Sequence, residues 1–467
     1  MTANTPPADT LGLSEEQMRA LGYQVVDMVV KHLANRGDEP AVAIASRKPL
    51  EAKVGGAVPQ QPSDPAAALA SLHDLVLPYM QHGDHPRYFA RVPGPSSFAA
   101  ILGDWLATGF NAMAATWVGG SGPATLELVV IDWLRQLLGM PEETQGIILS
   151  GGSMANFTAF AACFAVKGRG VVYLNDQTHA SLKRNFAALG VPPEDVRVLP
   201  TGNALKFDMT ELARIIAEDR AQGRKPVMIV ASAGSTNTGA CDPLPEIAAL
   251  CKANGLWMHV DGAYGAPAAL TPKGRAYLAG MELADSLVLD PHKWLFQPYD
   301  CGCVLVRHPG ALERAFTMNP EYLKDVMGQD GNVDLFNRSL ELTRKARALK
   351  MWMMFKTHGA ERIAKAIDRG IELAEVAQAL IEKKGSPWEL VTPAQIGIVT
   401  FAKRGGKPGE HAAMVNAITE SGYATLTSTI IGGRSVLRLC TINPNTTEND
   451  IAETLSRLAA MGSRNGA

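Results

Sequence analysis

Between residues 95 and 350, short β-branched apolar runs alternate with longer stretches of helical spacing, and no other feature constrains the fold as strongly. The runs fall at 146–150, 171–175, 196–199, 227–233, 256–261, 286–290 and 303–307. Near-continuous hydrophobic strands separated by helices predict a mostly parallel seven-stranded sheet covered by helices on both faces, an α/β architecture. Ligands of such sheets bind at the carboxyl ends of the strands. Several polar residues stand directly after these runs.

The flanking segments read differently. Over 14–34, Met18, Leu21, Val25, Met28, Val29 and Leu33 recur at helical spacing, which predicts an amphipathic first helix. The stretch carrying Pro59, Pro62 and Pro65 reads as an extended linker. An arm of this kind buries little by itself, so a partner subunit is the expected surface for it. After residue 350 the runs WELVT, GIVTF, YATLTST and SVLRLC predict short strands, and Thr447 with Asp450 reads as a capping box opening a last helix through Leu458. The expected division is an N-terminal arm over 1–94, a large domain over 95–350 and a small α+β domain over 351–467.

With 44 Lys and Arg against 46 Asp and Glu, the chain has no basic excess to suggest nucleic acid or an anionic membrane. MTANTPPADTLG lacks the basic region and apolar core of a signal peptide. Apolar stretches are broken by charges well short of a membrane span. Cys301 and Cys303 form a C-x-C without a second pair to complete a zinc set, so buried thiols are expected and no metal is. A reduced cytoplasmic enzyme is the expectation.

Four segments carry candidate chemistry. In Asp290-Pro291-His292-Lys293-Trp294, a lysine follows a buried strand, where desolvation would lower its pKa and make the amine nucleophilic. A surface lysine lying along a tryptophan would look the same. Asp261, in His259-Val260-Asp261-Gly262-Ala263-Tyr264, ends another strand and suits either a cofactor's pyridinium nitrogen or a helix N-cap. Ser150-Gly151-Gly152-Ser153-Met154-Ala155-Asn156 stands between strand and helix, as a phosphate cradle or a tight turn would. His179, in Asp176-Gln177-Thr178-His179, is placed to stack on a flat ring or to serve structure.

The order cradle, His, Asp, Lys along one sheet resembles the fold-type-I pyridoxal-phosphate enzymes, the aspartate aminotransferase superfamily. Within it, the chain resembles the group II amino-acid decarboxylases, typified by aromatic-L-amino-acid decarboxylase. The resemblance covers most of the chain. It rests on His85-Pro86 with Tyr88-Phe89, SGPATLELVVIDWL (121–134), DQTHASL, HVDGAYG, DPHKWL, AFTMNPEYL, TRKARALKMW and LRLC around Arg438. By this resemblance Lys293 carries pyridoxal 5'-phosphate as a Schiff base and Asp261 pairs with its ring nitrogen. His179 stacks on one face and Ala263 packs on the other. Gly152, Ser153 and His292 surround the phosphate, Thr236 lies near the ring hydroxyl, and Asn156 matches an amide of the glutamate-decarboxylase branch. Tyr322 falls in the family's catalytic loop as proton donor to the α-carbon. The implied reaction converts an L-amino acid, expected to be aromatic, to its amine and carbon dioxide. The implied assembly is a homodimer with its active sites at the interface, and the segment around 110–115 is expected to meet the partner's pocket.

The departures from the family concern substrate. Met113, Ala115, Val92 and Gly94 stand where bulkier or hydroxylated residues are familiar, which implies a wider or reshaped side-chain pocket. Asp290 replaces a common asparagine beside the phosphate. The competing readings are an oxygen-using aldehyde synthase, which tends to carry phenylalanine at position 322, an aminotransferase, a Cα–Cβ lyase, and a catalytically silent scaffold.

Overall fold

The computed structural model of the chain describes residues 11–92, 94–318 and 331–464. Three helices lead: α1 (Glu15–Asn35), α2 (Arg47–Val54) and α3 (Pro65–Leu75). Ser14 and Gln17 close a reciprocal capping box on α1, yet this helix buries none of its own residues and exposes Met18, Tyr23, Val25 and Val30. The expected extended linker is only partly extended. Asp64 accepts from the N–H groups of Ala66 and Ala67, and Pro65 sits in the first turn, where its missing N–H is not needed. The alanines that follow then propagate α3, so Pro65 starts a helix instead of excluding one.

The main layer runs α4 (Phe98–Gly109), α5 (Trp117–Leu137), β1 (Gln145–Leu149), α6 (Gly152–Lys167), β2 (Val171–Asn175), α7 (Ala180–Ala188), β3 (Val196–Leu199) and α8 (Met209–Ala221). It continues through β4 (Pro226–Ser232), α9 (Leu244–Asn254), β5 (Trp257–Asp261), α10 (Pro272–Tyr277), β6 (Ser286–Leu289), α11 (Pro291–Trp294), β7 (Gly302–Val306) and α12 (Ala311–Phe316). The seven strands lie in the order β1-β7-β6-β5-β4-β2-β3, and only β7 runs against its neighbours. Alternate side chains supply two cores: Ile148 packs on one face, Ile147 and Leu149 on the other. Burial on both faces is why these strands read as continuous apolar runs.

The long α13 (Ala348–Glu382) bends at Gly359, whose φ of 69° lies in the left-handed region. Beyond it come β8 (Trp388–Gln395), β9 (Ile398–Lys403), α14 (Glu410–Glu420), β10 (Thr427–Ile431), β11 (Arg434–Cys440) and α15 (Glu448–Arg464). These strands form an antiparallel sheet in the order β10-β11-β9-β8. Thr447 and Asp450 cap α15 reciprocally, and the helix runs past Leu458 to Arg464. Residues 84–89 are stitched to this small layer: Phe89 N–H donates to Thr425 C=O at 2.8 Å and Asn443 Nδ2 donates to the carbonyls of Asp84 and His85. All six cysteines are unpaired and buried, Cys301 and Cys303 among them. Among the described residues, no helix is long and apolar enough to cross a membrane.

Candidate active site

The strand ends converge as the alternation predicts. A cavity of about 440 Å³ opens over the carboxyl ends of β1, β2, β4, β5 and β6, and Gly152, Ser153, Asn156, His179, Thr236, Asp261, Ala263, His292 and Lys293 all line it. Asp261 is the last residue of β5 and the others come from the turns or first helical residues after a strand, so one sheet gathers residues separated by more than a hundred positions. A second cavity of about 360 Å³ shares His179, Thr236 and Lys293 and adds Val92, Tyr88, Arg91, Tyr299 and Arg438.

Lys293 stands on the single turn of α11, held by its neighbour Trp294, which is fully buried and stacks on Tyr264 at 5.4 Å and 9°. The Lys293 Nζ lies 2.9 Å from Asp290 Oδ2. Burial works to lower the lysine's pKa, as expected, but the charge and hydrogen bond of Asp290, together with Asp261, outweigh it and hold the pKa raised. This corrects the expectation of a lowered lysine. Burial was read from the sequence, whereas the anion one helical turn back was not counted against it.

Asp261 accepts from Ala263 N–H at 3.1 Å. Burial raises its pKa, and Lys293 acts in the opposite direction. The N terminus of α6 has no side-chain cap, which leaves N–H groups directed at the cavity. A Cβ on Gly152 would lie 2.7 Å from Asp290 Oδ2 and 3.3 Å from the Ala263 methyl, so only glycine leaves the cradle open. His292 Nδ1 accepts from Cys301 N–H at 3.2 Å, and burial lowers this histidine's pKa. His179 caps α7 through Nδ1, bonded to Ser181.

Asn156 lines the cavity, but its amide is engaged at both ends. Nδ2 donates to Gly152 C=O at 2.8 Å, and Oδ1 meets His259 Nε2 at 2.7 Å. His259 Nδ1 in turn meets Ser286 Oγ, which accepts from Trp257 Nε1. Burial drives the His259 pKa down to about 3, so it stays neutral and braces the cradle from beneath.

The four residues singled out for substrate separate into two groups. Val92 lines the second cavity. A Cβ on Gly94 would lie 2.2 Å from Lys293 O and 2.3 Å from His292 O, so the missing side chain there is filled by backbone and adds no pocket volume. Among the described residues, neither Met113 nor Ala115 lines either cavity. Ala115 is buried, and Met113 is bridged to Lys345. Tyr322 lies outside the described residues.

Sequence reasoning names Arg438 only through LRLC and as an arginine that an aminotransferase could offer to a carboxylate, and it does not single out Tyr299, yet both line the second cavity. Arg438 is buried, donates to the carbonyls of Thr236 and Arg91, and keeps Nη2 without a hydrogen-bond partner. Tyr299 stands at the rim, 62% exposed, with its ring 4.9 Å from that of His292. LRLC marked Arg438 as part of the resemblance, but its direction depends on the pairing of β11 with β9 and β10. Nothing local marks Tyr299.

This donor set fits pyridoxal phosphate. It offers an amine for the aldehyde, a half-buried carboxylate for the ring nitrogen, and an uncapped helix N terminus for the phosphate. Asp290 Oδ1, buried without a partner, is an acceptor that does not suit an anionic group.

Residues 49–404 match the pyridoxal-dependent decarboxylase conserved domain. The chain is 41% identical to the aromatic-L-amino-acid decarboxylase of Bacillus atrophaeus, with 97% of each chain covered. It is 29% identical to the phenylacetaldehyde synthase of Arabidopsis thaliana, covering 94% of this chain and 95% of that one. The structure of Oryza sativa TDC with PLP and tryptamine superposes with a TM-score of 0.91 at 26% identity, covering 98% of this chain and 100% of that one.

Proposed function

The chain belongs to the pyridoxal-dependent decarboxylase family and is a pyridoxal-phosphate-dependent carboxy-lyase, and we propose that it converts an aromatic L-amino acid to its amine and carbon dioxide. One observation carries this reading: Lys293, Asp261 and the uncapped N terminus of α6 face a single cavity that shares His179, Thr236 and Lys293 with a second one.

In this reading Lys293 holds the cofactor, the α6 N terminus receives its phosphate, and His179 and Ala263 flank its ring. When bound, the cofactor supplies an electron sink for the pair released as the carboxylate leaves. Asp261 keeps the ring nitrogen protonated, because a carboxylate partly withdrawn from water favours a cation beside it. Arg438 offers Nη2 to the substrate carboxylate and fixes its direction before the bond breaks. Val92, Tyr88 and Tyr299 supply the apolar and aromatic wall for the substrate side chain. Tyr322 then delivers a proton to the α-carbon, with His179 as relay. This role for Tyr322 rests on its place in NPEYLKD.

A homodimer completes the site. Among the described residues, Met18, Tyr23, Val25 and Val30 of α1 stay exposed, as does Phe110 at 82%. The segment around 110–115 would reach the partner's cavity, which gives Met113 and Ala115 their place. In the same reading, 1–94 is the arm, 95–350 the large domain and 351–467 the small domain.

The relative named a phenylacetaldehyde synthase keeps the aldehyde-forming reaction as the second reading. Product analysis separates the two. Cofactor-loaded enzyme with pooled L-amino acids under air should yield an amine from an aromatic member. Aldehyde with peroxide would select the second reading, and a keto acid would overturn both in favour of transamination.

A further inference from the structure

Outside the lining of both cavities, though next to Gln81 of the second, three chain segments bring His32, Glu39 and His82 together, with one donor atom from each lying within 4.8 Å of the others. His32 comes from the last turn of α1. Glu39 and His82 are set by paired backbone: Val42 bridges Gln81, and His82 N–H donates to Ala41 C=O at 3.1 Å. The two imidazole ring centroids lie 5.5 Å apart, with the planes tilted by 41°.

Two observations mark the cluster as more than an ion-paired histidine. His82 is 8% exposed, and its Nδ1 is buried with no hydrogen-bond partner. Leaving such an atom unsatisfied is unfavourable, because its hydration is lost without replacement. His32 is already oriented as a ligand would be: Nε2 meets Asp84 Oδ2 at 3.0 Å, while Nδ1 points to Glu39 Oε2 at 2.8 Å. A carboxylate on the far nitrogen fixes the tautomer and raises the basicity of the near one, the outer-shell arrangement of metal-bound histidines.

We propose that His32, Glu39 and His82 form a structural site for a divalent transition metal of the zinc class, with Asp84 as the outer-shell partner of His32. Two imidazoles and one carboxylate are a donor set for Zn²⁺ with water in the fourth position. On binding, the metal displaces the proton between His32 Nδ1 and Glu39 and takes up the lone pair of His82. The charges of Glu39 and Asp84 then balance that of the ion. His32 is about one third exposed, which leaves a path for entry. The ion would pin the root of α1, a helix that buries nothing of its own, to the body of the chain.

The test uses chelator-stripped holoenzyme dialysed against Zn²⁺, with bound metal counted per chain. Wild type should hold one ion more than either Glu39→Gln or His82→Ala, and Asp84→Asn should bind it roughly tenfold or more weakly. Zn²⁺ should raise the melting temperature of wild type and leave that of Glu39→Gln unchanged. Because Glu39 is partly exposed, this variant reports even where His82→Ala fails to fold. Co²⁺ should give a visible d–d band that Glu39→Gln lacks. Equal stoichiometry and affinity in wild type and Glu39→Gln, or no bound metal in wild type, would overturn the proposal.

Discussion

Replacing Asp290 by asparagine removes the anion that holds the Lys293 ammonium, with little change of shape. The carboxylate is 3% exposed and the ammonium 25%, with 2.9 Å between Oδ2 and Nζ. Two unit charges about 4 Å apart interact by about 4 kcal/mol at an effective dielectric constant of about 20. The wet face of the lysine and the remaining charge of Asp261 reduce the expected change to about 2 kcal/mol. The sign follows from which form the anion favours. Asp290 stabilises the protonated amine, so its loss lowers the lysine's pKa and makes the neutral amine available at lower pH. Only the neutral amine can attack the cofactor's aldehyde. On mixing apoenzyme with pyridoxal phosphate, the visible absorbance of covalent capture should therefore grow roughly thirtyfold faster in Asp290→Asn on the acid side of the profile. The acid limb itself should move to lower pH. Cofactor retention should also tighten, since the same carboxylate faces Gly152 at the phosphate cradle. An unchanged or upward-shifted profile would refute the assignment of Asp290 as the group that controls Lys293.

Lys293→Ala should bind the cofactor without the visible band of covalent capture and lose turnover; full activity in that variant would remove the central assignment. Tyr322→Phe should divert product from amine toward aldehyde and ammonia, and an unchanged amine yield by mass spectrometry would refute the proton-donor role. Arg344→Met should destabilise the fold by about 3–5 kcal/mol in urea unfolding, because it leaves the Glu127 carboxylate fully buried without its cation. A loss below about 1 kcal/mol would show that Glu127 finds another partner.

The parts of this architecture legible in the sequence are those whose cause is local. A strand covered on both faces must be apolar at every position, so the seven runs could be located without knowing their neighbours. The residues after them inherit the carboxyl ends of the strands by chain continuity, which is why Lys293, Asp261, Gly152 and His179 share one cavity. What stayed hidden depends on pairs distant in sequence. Glu127 and Arg344 belong to two segments that carried the resemblance, yet only the fold makes them a single buried ion pair that also grips the Ala114 and Ile148 carbonyls beneath the cradle. Gly94 read as lost volume because a sequence shows a missing side chain and not the Lys293 carbonyl that takes its place. Pro65 read as a linker because its meaning turns on Asp64 acting as a cap. Lys293 was misjudged in the same way. Burial can be inferred from a hydrophobic run, but the sign of a buried lysine's shift depends on which charge shares its dry pocket, and Asp290 is that charge. Local composition therefore indicated where the chemistry sits, while the protonation states that drive it depend on neighbours that only the folded sheet and its turns bring into contact.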